Sequence, residues 1–220
     1  MSTLVNALHD RRATASGTKT SLLGPFYRAD SPPKRLGASI VSGKVEKEIC
    51  IYGRVLNSSG APIPGASVEV WQPDDEGYYD LQRPNASDMD LRGRFTTDAN
   101  GGFYLRTIAP CGYMIPMDGP VGDMIRAQRR HGYRPAHIHF LVGAPGYREV
   151  VTAIYFHDDD HIDSDTVFGV MDSLVIQPTA SDPNSPIPGM PAIHFDFTLA
   201  LSADAASGRV GADPSQIMTK

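Results

Sequence analysis

Short stretches of alternating apolar and polar residues, separated by turn residues, cover most of this chain. The alternation that starts at Ile49 ends at the turn 57–60, and residues 66–71 run back. A second unit places residues 93–97 and 103–107 around the turn 98–102. Period-two alternation bounded by Gly, Asn and Asp is typical of β-strands, so each unit is predicted to be a β-hairpin.

The rest of the chain extends this β pattern. Further strands are predicted over 136–142, 149–156, 173–177 and 192–199. Gly 21 and Pro 18 are high counts for 220 residues and favour many turns over long helices. One helix is predicted over 121–130, with an apolar face formed by Val121, Met124, Ile125 and Ala127. We therefore predict a mainly β protein: an antiparallel β-sandwich core with long loops and one or two short helices.

Length and periodicity predict a single domain with two appendages. Residues 1–35 show no sustained periodicity and are rich in Gly-Pro and Pro-Pro turns, which indicates an extended N-terminal arm. Residues 36–201 contain all the predicted strands. Residues 202–220 are small and polar, which is typical of a loose C-terminal tail.

Charge and hydropathy limit the partners that the protein is expected to have. The net charge of -5 is spread along the chain, without the basic stripe that would indicate nucleic acid or an anionic membrane. The first residues contain no apolar leader, and no long apolar run follows, so we expect a cytoplasmic protein. Cys50 and Cys111 are too few for a disulfide framework and are interpreted as reduced structural residues. A small-molecule partner is the remaining expectation.

Two histidines form the sharpest local feature. His137 and His139 are two residues apart on a predicted strand, so both imidazoles lie on one face. Neighbouring imidazoles on an interior face leave polar nitrogens to satisfy, and a bound metal would use both. The same spacing also occurs in zinc hydrolases and by chance. The pair alone leaves metal binding and hydrogen-bonded structural histidines open.

Tyrosines at the ends of predicted strands could complete a metal site. Tyr78 and Tyr79 follow the turn after Trp71, and Tyr113 follows the strand 103–107. A phenol has a pKa of about 10 in water, but a trivalent iron can hold it as phenolate. Any one of these residues is more often an aromatic loop anchor. Tyr133 is an even number of residues from His137 and His139, so it would share their face on an uninterrupted strand. Pro135 intervenes, and we interpret Tyr133 as pocket wall.

Four sequence pieces, taken in order, resemble the intradiol dioxygenases. They are Gly-Pro-Phe-Tyr at 24–27, Val-Trp at 70–71 followed by Gly-Tyr-Tyr at 77–79, Pro-x-Gly-Tyr at 110–113, and Arg-Pro-Ala-His-Ile-His at 134–139. The chain is similar to the catechol and hydroxyquinol branch, and residues 163–170 are most similar to hydroxyquinol enzymes. The resemblance implies cleavage of a catechol-type aromatic between its hydroxyl-bearing carbons by Fe(III) and O2. The product would be a muconate- or maleylacetate-type diacid of aromatic catabolism.

The resemblance also implies residue roles. Tyr79 and His137 would be equatorial iron ligands and Tyr113 and His139 axial ones, with Tyr78 as the alternative to Tyr79 after a one-residue slip. Tyr113 would leave the iron when substrate binds and then accept a proton. Arg134 would stabilise negative charge on the reacting ring. Five positions are implied to form the substrate-binding wall: Leu22, Pro25, Phe26, Thr166 and Val167.

Two departures from the family pattern affect these expectations. Only about 20 residues precede Leu22, whereas the catechol branch has a helical N-terminal segment that builds its dimer. The sequence therefore leaves both a homodimer and a more accessible pocket as alternatives. Ala153 stands where the family commonly carries glutamine, so a polar partner near Arg134 is predicted to be missing.

Two other functions compete with the dioxygenase hypothesis. One is a zinc hydrolase that uses His137, His139 and a nearby carboxylate to activate water. The other is a non-catalytic binding module, because the strand units 53–70 and 94–107 also resemble transthyretin-like β-sandwiches. A module of that kind needs no paired Tyr and His ligands.

Overall fold

A computed structural model describes residues 17–43, 45–84 and 89–202 of the chain. Residues 1–16 of the predicted arm lie outside this description. The predicted C-terminal tail also lies outside it, apart from residue 202.

Strands dominate the described residues. These residues contain eleven β-strands and one α-helix: β1 (Ile49–Asn57), β2 (Ser67–Trp71), β3 (Arg92–Thr96), β4 (Gly102–Thr107), β5 (Tyr113–Met114), α1 (Pro120–Ala127), β6 (Tyr133–Arg134), β7 (His137–Gly143), β8 (Val150–Phe156), β9 (Val175–Ile176), β10 (Ala192–His194) and β11 (Phe197–Leu199). Short 3₁₀ turns occupy Asp80–Gln82, Ile162–Ser164 and Asp172–Leu174. The predicted mainly β class is confirmed.

The strands form two sheets that pack face to face. In the first sheet β1 pairs antiparallel with β4 on one side and parallel with β10 and β11 on the other. The second sheet has the order β3-β2-β7-β8-β9, with only the β8–β9 pair parallel. Strands β5 and β6 form a separate two-stranded ribbon. The β-sandwich is confirmed, although its sheets are mixed and not purely antiparallel.

The two predicted hairpins are wrong in their pairing. β1 does not pair with β2 but with β4, and β3 pairs with β2 instead of β4. Each turn therefore carries the chain from one sheet to the other. Alternation shows which residues of a strand face the core, but it carries no information about the neighbouring strand. The strand positions were predictable for this reason, while their partners were not.

Alternation does explain how the core is filled. In β4, Phe103, Leu105 and Thr107 are buried, while the residues between them are half-buried. β7 differs, because Ile138 and Phe140 enter the sandwich core while His137 and His139 are buried on the opposite face. That second face is buried because residues 17–35 lie against it, with Ser21 N donating to the Val151 carbonyl at 2.9 Å.

The helix is shorter than predicted and presents a different face. It begins at Pro120, where proline suits the first helical turn, and Arg129 just beyond its end has a φ of 55°. Ile125 is buried, but Val121 and Met124 are 59% and 62% exposed. The predicted apolar face is therefore wrong, because only one of its large side chains packs against the protein. None of the described helices has the length and apolarity that a membrane span requires.

Thr97 holds one of the turns that cross between the sheets. Its buried Oγ1 accepts the Ala66 N–H at 2.8 Å and donates to the Ile63 carbonyl at 2.8 Å. Thr97→Val keeps the volume but leaves both backbone groups without this partner, so we expect the free energy of unfolding to fall by about 1–3 kcal/mol. Urea denaturation would measure the loss. Thr96→Val, at an exposed strand position, is the control, and equal midpoints for the two variants would contradict the expectation.

Candidate metal centre

The two histidines lie side by side at the start of β7. Their Nε2 atoms are 3.2 Å apart, and both rings are buried. Across the sheet, His139 is opposite Trp71 of β2 and Ala153 of β8, while His137 is opposite Tyr155. The Trp71 ring stacks on His139 with centroids 5.0 Å apart and planes inclined by 5°. The neighbouring strands therefore fix the orientation of the histidine pair.

Two loops bring tyrosines to the same point. Tyr79 is fully buried, and its hydroxyl lies 3.4 Å from Nε2 of His137. The Tyr113 ring stands at 88° to that of Tyr79, with ring centroids 5.8 Å apart. Gly77 permits this approach, since its φ is +86° and a Cβ there would lie 2.8 Å from Cβ of Tyr113. The four side chains predicted as ligands are thus gathered in one buried cluster.

The two tyrosines that could exchange places by a one-residue slip have different surroundings. Tyr78 is 46% exposed, and the Arg83 guanidinium lies 4.5 Å from its ring centroid. Tyr133, the third tyrosine considered, is 36% exposed and stacks on His161 at 4.5 Å. Of these alternatives, Tyr79 is the one whose hydroxyl faces the histidines.

The two histidines of the cluster have the neutral state that a metal requires. His137 Nδ1 lies 2.6 Å from the Pro135 carbonyl, which only accepts, so Nδ1 carries the hydrogen and Nε2 presents a lone pair to the cluster. Burial, reinforced by Arg134, lowers the pKa of His137 and of His139 well below the usual value, which keeps both neutral. Burial also raises the pKa of Tyr79 well above its usual value, with Tyr113 adding to the shift.

A bound trivalent cation would reverse the shift at Tyr79 by favouring the phenolate. Two imidazole nitrogens and two phenol oxygens form a hard, partly anionic donor set, and such a set fits Fe(III). Among residues 17–43, 45–84 and 89–202, no group of three or more His, Cys, Asp or Glu side chains could hold a metal ion. The zinc hydrolase hypothesis requires such a group, because it adds a carboxylate to the histidine pair.

Arg134 lies beside the predicted ligands and is held on three sides. Its Nη1 is 3.0 Å from His137 Nε2, its Nε is 3.3 Å from Asp165 Oδ1, and its Nη2 is 3.4 Å from the Tyr155 hydroxyl. Burial alone would lower the pKa of Arg134, but Coulombic interactions with the Tyr113 side chain and the Asp165 carboxylate outweigh it and raise the pKa. The predicted absence of a polar partner is wrong. Asp165 and Tyr155 supply what Ala153 does not.

The predicted wall residues of the N-terminal segment have unequal contacts with the cluster. Phe26 stacks on Tyr79, with centroids 4.4 Å apart and planes inclined by 17°. Leu22 is half-buried and borders a cavity of about 530 Å³, whereas Pro25 is exposed. Gly24 lies against His139, because a Cβ at position 24 would be in van der Waals contact with its Nε2 at 3.5 Å. This segment therefore covers the histidines and Tyr79.

The two wall candidates of the other loop follow Asp165. Thr166 is buried and its N–H donates to the Tyr133 carbonyl at 3.1 Å, while Val167 is half-buried. Asp165 itself accepts the Gly169 N–H at 2.8 Å. The loop thus connects the predicted wall to the carboxylate that holds Arg134.

Several supporting residues were missed from sequence. Asp80, next to Tyr79, forms a two-pronged ion pair with Arg92 at 2.8 and 2.6 Å, and Arg28 adds a contact at 3.0 Å. Asp165 belongs to a stretch that the family resemblance already singled out, and that stretch was the available signal. The partners of Asp80 and Tyr155 lie in the N-terminal segment and on other strands, and no local pattern marks them.

A β-sandwich that gathers two histidines, two tyrosines and a fixed guanidinium in one buried cluster defines a candidate mononuclear metalloprotein. The chain belongs to the intradiol dioxygenase family, because a family model described as "Dioxygenase" matches residues 23–201. It is 43% identical over 176 residues to a hydroxyquinol 1,2-dioxygenase of Rhizobium sp., an alignment that covers 80% of this chain and 59% of the relative.

Two further comparisons agree with this assignment. The chain is 40% identical over 182 residues to a 6-chlorohydroxyquinol 1,2-dioxygenase of Cupriavidus pinatubonensis, covering 83% of this chain and 64% of the relative. The crystal structure of hydroxyquinol 1,2-dioxygenase from Pseudomonas putida DLL-E4 superposes with a TM-score of 0.84 at 37% identity, covering 91% of this chain and 72% of the other. The chain spans less than two thirds of the length of both sequence relatives.

Proposed function

We propose that this protein is a non-haem Fe(III) intradiol dioxygenase that cleaves hydroxyquinol, catechol or a substituted catechol between the two hydroxyl-bearing carbons. The observation that carries the proposal is the convergence of Tyr79, Tyr113, His137 and His139 in one buried cluster of a chain from this family. The names of the relatives favour hydroxyquinol-type substrates. A transthyretin-like binding module would have no use for this donor set.

The four clustered side chains would hold the iron as two phenolates and two neutral imidazoles. Bound iron would withdraw electron density from the aromatic diol and so make a ring carbon reactive toward O2. The protein's own task is to keep the donors aligned. The Pro135 carbonyl fixes the tautomer of His137, and the flat contact with Trp71 fixes the ring of His139.

Proton transfer from the substrate is assigned to Tyr113. A catechol must lose its hydroxyl protons to become the reactive dianion, and a positioned oxygen nearby is needed to accept one. Tyr113 is 8% exposed whereas Tyr79 is fully buried, so the Tyr113 oxygen is the more accessible of the two. Its ring packs edge-on against that of Tyr79, with centroids 5.8 Å apart, which keeps Tyr113 in the cluster.

Arg134 provides a fixed positive charge beside the reacting ring. Negative charge builds up on the ring and its oxygens as O2 attacks, and a preorganised cation stabilises that charge without having to move. Asp165 keeps the guanidinium in place, and its burial excludes the water that would screen it. The planar guanidinium also suits a site in which several donors are fixed at once.

Spectroscopy and isotope labelling together test the proposal. The iron-loaded protein is expected to show a broad visible band from tyrosinate bound to Fe(III), and the band should shift when hydroxyquinol, catechol or chlorocatechol is added without oxygen. With ¹⁸O2, both oxygen atoms should appear in the diacid, because catechol and O2 combine without another reactant. A folded, iron-loaded protein with no band would overturn the metal site. A band that shifts without O2 consumption would indicate a binding module.

A further inference from the structure

Tyr155 occupies the position on β8 that faces His137. Ala153 and Tyr155 are two residues apart on one strand, so they share a face, and the smaller one lies opposite His139. Tyr155 is fully buried, with its ring centroid 5.6 Å from that of His137. Its hydroxyl lies 2.9 Å from Ser21 Oγ and 3.4 Å from Arg134 Nη2.

The direction of these hydrogen bonds follows from the last acceptor in the chain, the Gly169 carbonyl. Ser21 Oγ donates to the Gly169 carbonyl at 3.3 Å, and a carbonyl oxygen only accepts. Ser21 thereby uses its one hydrogen, so the Tyr155 hydroxyl donates to Ser21 Oγ. A lone pair of the Tyr155 oxygen is then available to accept from Arg134. With Ser21 donating to Gly169, the hydrogen bonds run from Arg134 through Tyr155 and Ser21 to the Gly169 carbonyl.

The space around the Tyr155 hydroxyl is closed by backbone. A Cβ at Gly169 would lie 2.6 Å from the Tyr155 oxygen and 3.3 Å from Arg134 Nη2. Gly169 also donates its N–H to Asp165, the carboxylate that accepts from Nε of Arg134. The guanidinium and the tyrosine hydroxyl are therefore packed into one rigid pocket.

We propose that Tyr155 is a positioning residue that fixes the plane of the Arg134 guanidinium for the reaction. The inference rests on the proposed function. The His137 Nε2 lone pair, which Arg134 Nη1 faces at 3.0 Å, is the one assigned to iron. With that lone pair committed to iron, Asp165 and Tyr155 would be the residues that orient Arg134. Tyr155 thus supplies the polar contact to Arg134 that Ala153, two residues earlier on the same face, lacks the side chain to make.

Tyr155→Phe removes the hydroxyl and keeps the ring. Loss of a hydrogen-bond partner one step removed from the metal lowers activity or metal affinity about 10–100-fold in many metal enzymes. We expect kcat to fall about 10-fold here. KM and the anaerobic dissociation constant for catechol should stay within about twofold, because Arg134 acts on charge that develops only during the reaction. The matched control is Tyr52→Phe, which removes a hydroxyl that donates to Asp182 outside this site.

A double-mutant cycle separates positioning from general structural support. If Tyr155 acts through Arg134, adding Tyr155→Phe to Arg134→Lys should lower kcat by less than about twofold further. A purely structural contribution would give the same 10-fold loss in both backgrounds and would overturn the proposal.

A second readout needs no turnover. In the metal-free protein, where no paramagnetic iron broadens the resonance, solvent exchange of the Arg134 Nε–H, assigned by NMR from the resonance that Arg134→Lys removes, should quicken in Tyr155→Phe and not in Tyr52→Phe. Unchanged exchange and unchanged kcat would overturn the inference. If Tyr155→Phe fails to fold, Ser21→Ala tests the same chain of hydrogen bonds and should quicken the exchange too, while unaltered exchange in Ser21→Ala would count against it. A wild-type protein without colour or turnover would defeat the proposed function, and the exchange measurement would still decide the positioning.

Discussion

Tyr79→Phe is expected to weaken iron binding far more than Tyr78→Phe, although the two residues are adjacent. Tyr79 is fully buried with its hydroxyl 3.4 Å from His137 Nε2, while Tyr78 is 46% exposed. The loss should exceed the roughly 10–100-fold that follows removal of a residue one step outside the ligands, because the proposed anionic ligand itself is removed. Turnover should fall at least in proportion.

The substitution is conservative in shape, which makes the test specific. Phenylalanine at position 79 preserves the stacking on Phe26, so the fold should be retained and circular dichroism should match wild type. Iron content per chain and the visible band measure the ligand loss directly. Full iron and an unchanged band in Tyr79→Phe, with loss of both in Tyr78→Phe, would move the ligand by one residue and refute the assignment.

The four clustered side chains were easier to single out from sequence than the strand pairing that brings them together. His137 and His139 lie two apart on one strand, and that spacing places both on one face whatever the strand's neighbours are. Tyr79 and Tyr113 follow glycine-containing turns with a recognisable local pattern. Local patterns of this type can be recognised without knowledge of the tertiary structure, so these four positions could be proposed from sequence.

The missed residues all depend on contacts between distant parts of the chain. Tyr155 meets Arg134 because β7 and β8 pair in one particular register, and Ser21 meets Tyr155 across 134 positions of sequence. The hairpin error has the same origin, since the pairing of β1 with β4 joins strands about 50 residues apart. A single sequence encodes which side of each strand is apolar, but the register follows from the packed whole.

The N-terminal segment 17–35 links these distant parts at the site. Ser21 bonds Tyr155, Gly24 packs on His139, and Phe26 stacks on Tyr79. Backbone bonds from Thr18 and Ser21 fix it to strands of both sheets. An extended segment is ordered only when its backbone polar groups have hydrogen-bond partners of this type. Segment 17–35 therefore forms an ordered wall of the cluster.

Asp80→Ala is expected to lower the free energy of unfolding by about 3–5 kcal/mol, a large part of the roughly 5–15 kcal/mol that holds a domain folded. Arg92 is 1% exposed and makes its side-chain ion pair with Asp80 through two hydrogen bonds. Removing the carboxylate leaves a buried guanidinium without compensation. The control is Asp123→Ala, which breaks an exposed pair with Arg126 and should cost less than about 1 kcal/mol.

The same substitution should reach the metal centre through the backbone. Asp80 directly follows Tyr79, and its carboxylate ties that loop to Arg92 of β3 and to Arg28 of the N-terminal segment. Urea unfolding of the metal-free protein measures the stability loss, and iron affinity at a temperature where the variant stays folded measures the effect on the ligand. A loss no larger than that of Asp123→Ala would show that water or a rearranged neighbour compensates Arg92. A large loss with unchanged iron affinity would show that Phe26 and the histidines hold Tyr79 without help from the ion pair.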